Sequence, residues 1–207
     1  MIESKKRDLK CQIIDAAREL LLSEGYRNLS LRKIARSIGV SATSIYLHFD
    51  NKDNLVHALI DEAIEALNMR LEESVQSVSN PISQLKHLAY AYVQFALQHP
   101  RQYQIIYLVS SDEMARYPKE KFRKARKGYK TVRNVLLEGK EAGLMKDHKP
   151  DIAAYTFWAQ MHGVMSVVLS RRLDAQIDQH EFIDEAIEHI IGGYQSENVT
   201  EAVRIKK

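Results

Sequence analysis

The sequence predicts an all-α protein of about nine helices, with a small N-terminal three-helix unit joined by a long helix to a larger helical body. Three observations carry this. Apolar residues recur at i, i+3 and i+4 along nearly the whole chain. Only 8 Gly and 4 Pro occur among 207 residues, too few for a turn-rich β architecture. The dominant residues, Ala, Leu, Ile, Glu, Lys and Arg, are strong helix formers.

The first helix is expected from about Lys5 to Glu24, with Ile13, Ala17, Leu20 and Leu21 on one stripe and Gly25 as its stop. Cys11 falls on a neighbouring stripe with Ile14, Ala17 and Leu21, which places it in the core. A second helix starts after Ser30, a side chain suited to capping, and runs to Gly39. The third follows Ser41 and ends near His48. The long fourth helix has Asp50 or Asn51 as its cap. After Pro81 the pattern gives a fifth helix over Ile82–Gln98 and a short apolar sixth from Arg101. A seventh is expected over Lys119–Glu141, an eighth over Ile152–Leu173, and a ninth over His180–Ile191, stopped by Gly192 and Gly193.

Composition limits the function. One cysteine excludes an internal disulfide framework and fits a reducing compartment. No apolar stretch follows the charged N-terminus, and none of about 18 uninterrupted apolar residues occurs, so the expectation is a cytoplasmic chain without a membrane partner. The net charge of +3 is unevenly placed: residues 1–50 hold nine Lys/Arg against six Asp/Glu, and the rest hold 21 of each. An anionic partner for the first quarter of the chain would suit that asymmetry.

Within that quarter, Leu31, Ile34, Ala35, Ile38, Gly39, Val40 and Ile45 have the spacing of a helix-turn-helix. Ala35 is small where two helices approach, Gly39 accepts a positive φ, and the aliphatic residues fill the wedge between the helices. A plain αα-hairpin would also place Gly in its turn. The run "LSLRKIARSIGVSATSIYLHFDNKDNL" goes further, because Ile34, Ala35, Gly39, Val40, Ser41, Ile45, Tyr46, His48, Phe49, Lys52 and Leu55 agree together with one pattern. It resembles the DNA-binding segment of TetR-family transcriptional regulators over roughly residues 10–57.

The resemblance implies a DNA-binding domain over residues 1–52. Thr43, Ser44 and Leu47 would face the major groove, with Ser41 and Ala42 at the start of the recognition helix. Tyr46, His48, Lys52, Ser30, Arg32 and Lys33 would meet phosphates. Hydroxyls and cations bind phosphate generically, whereas base-edge contacts specify sequence. Ala42 stands where the family often has Lys or Arg, Thr43 replaces a frequent Gly or Pro, and Leu47 a frequent His or aromatic residue. Leu47 either meets a thymine methyl or packs inside the domain. Tyr46 is either a phosphate ligand or a partly buried core ring, and Phe49 belongs to the core.

Residues 53–207 would form a ligand-binding and dimerisation domain. "FWAQMHGV" resembles the Trp–x–x–x–His–Gly pattern of one branch of the same family. Trp158 and His162 lie one turn apart on one face, and Gly163 would let a neighbouring backbone come close. With Tyr90, Tyr103, Tyr107, Phe122 and Met161 they would line a cavity for a small lipophilic effector of unknown identity, or form an ordinary aromatic core. Phe182, Ile183, Ala186, Ile187, Ile190 and Ile191 form a stripe that is either intramolecular or, with the preceding helix, the homodimer interface found in TetR-like proteins. The basic run "KEKFRKARKGYK" at 119–130 is either a second patch for nucleic acid or an anionic ligand or, as is more common for such a run, the solvated face of a helix.

No nucleophile elbow, HExxH or Gly-rich phosphate loop occurs, and no two histidines share metal-ligand spacing on one helix. The expectation is therefore no enzyme, no cofactor and no metal. The chain reads as a dimeric, ligand-responsive repressor of a palindromic double-stranded DNA operator. A ligand-independent architectural DNA-binding protein is the alternative.

Overall fold

Nine α-helices make up the regular structure of residues 8–107 and 126–196, the residues that this computed structural model describes. Their order is α1 (Leu9–Asn28), α2 (Leu31–Ser37), α3 (Ala42–Tyr46), α4 (Lys52–Val75), α5 (Pro81–Gln98), α6 (Pro100–Tyr107), α7 (Lys127–Glu141), α8 (Pro150–Leu169) and α9 (Gln179–Tyr194). One isolated antiparallel bridge pairs Met145 with Gln195.

The helix ends follow local chemistry. Gly25 breaks α1 with φ +77°, so the regular helix stops there as the sequence indicates. Its N-cap is Asp8, whose carboxylate accepts from the Lys10 N–H. Ser30 Oγ caps α2 by accepting from Lys33 N at 3.2 Å, and Ser41 Oγ caps α3 by accepting from Ser44 N at 3.1 Å. Between them Gly39 has φ +71°, the left-handed conformation that ends α2 and turns the chain. Of the two candidate caps for α4, Asn51 takes the part, its Oδ1 accepting from Asn54 N at 2.8 Å.

The chain divides into two compact units. Among the described residues the first comprises 8–64 and most of α6; the second comprises 65–100 and 126–196. The first therefore continues past Lys52, because Leu55, Val56, Leu59 and Ile60 of α4 share one core with Ile13, Ala17, Ile34 and Ile45. Ile105 of α6 joins the same cluster. In the second unit α7 packs on α8, and α5 packs against α7, α8 and α9.

Four expectations need correction. Cys11 is exposed, because the stripe that α1 buries is Ile13, Ala17 and Leu21. Helix α8 begins earlier, with Pro150 in its first turn, and ends earlier, at Leu169, where Arg171 takes a left-handed φ of 54°. Helix α9 passes through Gly192 and Gly193 to Tyr194, whose hydroxyl donates to Ala153 O at 3.1 Å and ties that end to α8. Gly163 has open space where a Cβ would sit, so no close backbone approach among the described residues uses it. The expected start of the seventh helix at Lys119 lies outside the described residues.

Helix α8 also has the length and mean hydropathy, 1.2, of a membrane-spanning helix. Its apolarity has another use, since it is apolar on two sides. Ala153, Phe157, Met161 and Met165 are buried within the second unit, while Ile152, Tyr155 and Trp158 are exposed.

Candidate nucleic-acid interface

Helix α3 has five residues and one anchor. Ile45 is completely buried, and it turns the rest of the helix outward. Thr43 is exposed, Tyr46 is 51% exposed and Leu47 is 81% exposed. Leu47 is thus free of the core, and the Tyr46 ring is no core ring either; Phe49 is buried, as assigned. Ser41 and Ser44 are tied together, their hydroxyl oxygens 2.8 Å apart. Thr43 on α3 and Leu47 at its C-terminal cap are thus left exposed, one with a hydroxyl and a methyl and the other with an apolar surface. Ala42 is half-buried at the start of the helix, and His48 is exposed just past its end.

The cations differ in how they are held. Lys33 is ion-paired with Glu24 at 2.5 Å, so a phosphate must displace a carboxylate there. Arg32 is exposed, and Ser30 has its hydroxyl committed to the α2 cap. The Lys52 ammonium lies 4.1 Å above the centroid of the Tyr26 ring and 3.5 Å from Tyr26 O. The Tyr26 hydroxyl donates to Asp53. Tyr26 and Asp53 do not stand out in the sequence as site residues. Their only visible signal is an aromatic residue directly after the Gly25 break and a Lys–Asp pair opening α4.

Leu47→Ala should leave stability within about 0.5 kcal/mol of the parent, as exposed sites do, while changing sequence preference on DNA. Urea unfolding and competition binding measure the two. A stability loss above 2 kcal/mol would return Leu47 to the core.

Of the seven residues nominated for a ligand cavity, two belong to the first unit and four to the second among the described residues. Phe122 lies outside them. Tyr103 and Tyr107 belong to the first unit, with ring centroids 4.9 Å apart and Tyr103 fully buried. In the second unit Tyr90 donates to Asp184 Oδ1 at 2.9 Å, which leaves its hydroxyl a structural tie between α5 and α9. Met161 is buried, whereas Trp158 is exposed on the same helix and stacks on His162 at 5.4 Å and 11°. Burial holds the His162 imidazole below the usual histidine range. A depressed histidine favours folding above its unfolded value and loses that contribution as pH falls through its folded value. His162→Gln should therefore flatten the loss of thermal stability below about pH 6.5; an unchanged pH profile contradicts this.

A separate open groove of about 390 Å³ is lined by His148, Lys149, Ile152, Thr156, Gln160 and Tyr194, none of them among the seven. Burial pushes the Tyr194 hydroxyl up to about 12, so it stays a donor throughout the physiological range.

Comparison with known proteins agrees with this layout. Residues 13–59 match the family model described as bacterial regulatory proteins, tetR family, and residues 85–190 match the tetracyclin repressor-like C-terminal domain. The nucleoid occlusion factor SlmA of a Marinomonas species is 30% identical over 99 residues, 48% of this chain and 50% of that protein. The fatty acid metabolism regulator protein of Bacillus subtilis is 38% identical over 72 residues, 35% of this chain and 37% of that protein. The chain thus spans half or less of these two curated relatives. The transcriptional repressor KstR2 of Mycobacterium tuberculosis is 27% identical over 143 residues, 68% of this chain and 70% of that protein. Its solved structure superposes with a TM-score of 0.69 at 21% identity, covering 92% of this chain and 97% of that one. The fatty acid degradation regulator FadR of Bacillus halodurans gives 0.72 at 23% identity, covering 91% and 97%. At these identities the superpositions establish the shared fold. With the two family models covering its N-terminal helices and more than half of its length, the chain belongs to the TetR family of bacterial regulatory proteins.

Proposed function

We propose that the chain is a homodimeric DNA-binding transcriptional regulator, a repressor that binds a palindromic operator and leaves it when a small lipophilic effector binds. The observation that carries the DNA reading is α3, whose buried Ile45 leaves Thr43, Tyr46 and Leu47 in solvent, with a partly buried Lys52 opening the next helix. The N-terminal family model spans these residues.

The dimer reading, which the sequence places on the last two long helices, is supported by α8, because Ile183, Ile187, Ile190 and Ile191 of α9 are already buried within the second unit. Ile152 and Tyr155 are half exposed or more, on a helix whose other side is already buried. An apolar face of this kind suits a second copy, and a two-fold dimer would set two α3 helices one DNA turn, roughly 34–36 Å, apart. Tyr155→Glu should convert a dimer to a monomer in sedimentation equilibrium and weaken operator binding at least tenfold. A dimer that survives this change would move the interface elsewhere.

The effector class is supported by two relatives whose names concern fatty acid metabolism and degradation. An effector acts only through a difference in affinity between the DNA-competent and released conformations. Titration of a fatty acid or its thioester into the protein–DNA complex tests this, with release expected. Undiminished DNA binding at saturation would favour the ligand-independent reading, which the match to a nucleoid occlusion factor supports.

A further inference from the structure

We propose that Tyr26 is a positioning residue that holds the Lys52 ammonium, uncompensated, for a DNA phosphate; this rests on the DNA-binding reading above. Two lysines of the first unit, Lys33 in α2 and Lys52 at the start of α4, make the contrast. Lys33 is neutralised by Glu24 at 2.5 Å. Lys52 has no carboxylate at ion-pair distance among the described residues, although Asp53 is its neighbour in sequence.

Tyr26 explains the difference with three contacts. Its ring face carries the ammonium at 4.1 Å, and its backbone carbonyl accepts from Nζ at 3.5 Å. Both are neutral acceptors, attracting the cation without cancelling its charge. Its hydroxyl meanwhile donates to Asp53, which engages the one adjacent carboxylate. Tyr26 is itself buried, so the ring is a fixed platform, and Lys52 is only partly exposed. A long side chain fixed before DNA arrives loses less rotamer freedom on binding, and its full charge remains available to displace a counterion.

The test is the salt dependence of operator affinity for the full chain. Each phosphate contact contributes about 0.9 to the slope of log K against log salt. Lys52→Ala should lower the slope by about 0.9. Tyr26→Met should lower it by the same amount, and the double variant should match Lys52→Ala alone. Tyr26→Phe retains the ring and should retain the parental slope. Tyr26→Met affinity losses that add to those of Lys52→Ala, or leave the slope unchanged, would overturn the proposal. Because Tyr26 is buried, a second reading avoids any unfolded variant. In the parent protein the Lys52 Hε resonances should be shifted upfield by the ring, and the shift should vanish in Lys52→Arg spectra. Hε resonances at ordinary lysine positions would also overturn it. Absence of sequence-selective binding by the parent chain is a different outcome, and it would remove the DNA reading itself.

Discussion

Ile45→Ala is expected to destabilise the first unit by roughly 2–5 kcal/mol, the usual range for truncating a fully buried isoleucine, and to abolish selective DNA binding. The effect is large because α3 has so little else to hold it. Its five residues make few intrahelical bonds, and such a short helix is unstable without tertiary packing. Ile45 is the only buried residue of the helix and lies in the cluster containing Ile13, Ala17, Ile34 and Phe49. Its removal opens a cavity there and frees the outward face bearing Thr43 and Leu47. Urea unfolding followed by circular dichroism measures the loss. A change below 1 kcal/mol would mean that α3 is held by something other than Ile45.

Gly128→Val is expected to cost roughly 2–4 kcal/mol, combining overpacking with a lost buried hydrogen bond. A Cβ at Gly128 would sit 2.6 Å from Asn68 Oδ1 and 2.9 Å from Leu71 Cδ1. Both are buried side chains of α4, and Asn68 Oδ1 already accepts from Gly128 N at 2.9 Å. The substitution expels the amide that joins α4 to α7 within the second unit. Gly163→Ala is the control: a Cβ there meets nothing within 4 Å, and replacing a mid-helix glycine should gain up to about 1 kcal/mol. Calorimetric midpoints should move in opposite directions for the two variants. Equal shifts would contradict the assigned packing.

These glycines show which parts of the molecule can be read from the chain. Ser30, Ser41, Gly25 and Gly39 act within a few residues of themselves, so capping and turn chemistry identify them directly. The buried faces of α2 and α3 likewise follow from spacing, and Ile45 and Phe49 are core residues for that reason. Gly128 and Gly163 look alike in sequence, yet only Gly128 is crowded, because its neighbours come from a helix some 60 residues earlier. The Tyr26–Lys52–Asp53 arrangement was hidden by the same kind of separation. Cys11 was misplaced because two adjacent stripes of α1 are both apolar, and tertiary packing decides which is buried. Composition selects aromatic side chains but does not fix their exposure. Trp158 and Met161, three residues apart, differ sharply in exposure.

In the function proposed above, α3 reads DNA sequence while Lys52 holds the backbone. Fluorescence anisotropy of the full chain on the region upstream of its own gene, against a scrambled duplex of equal length and composition, tests it at 50 to 200 mM salt. A preference of about 10³ or more for the upstream region is expected at physiological salt. Thr43→Ala should reduce that preference, while Lys52→Ala should weaken both duplexes alike and lower the salt slope by about one. Equal affinity for the two duplexes, with no effect of Thr43→Ala on their ratio, would contradict it.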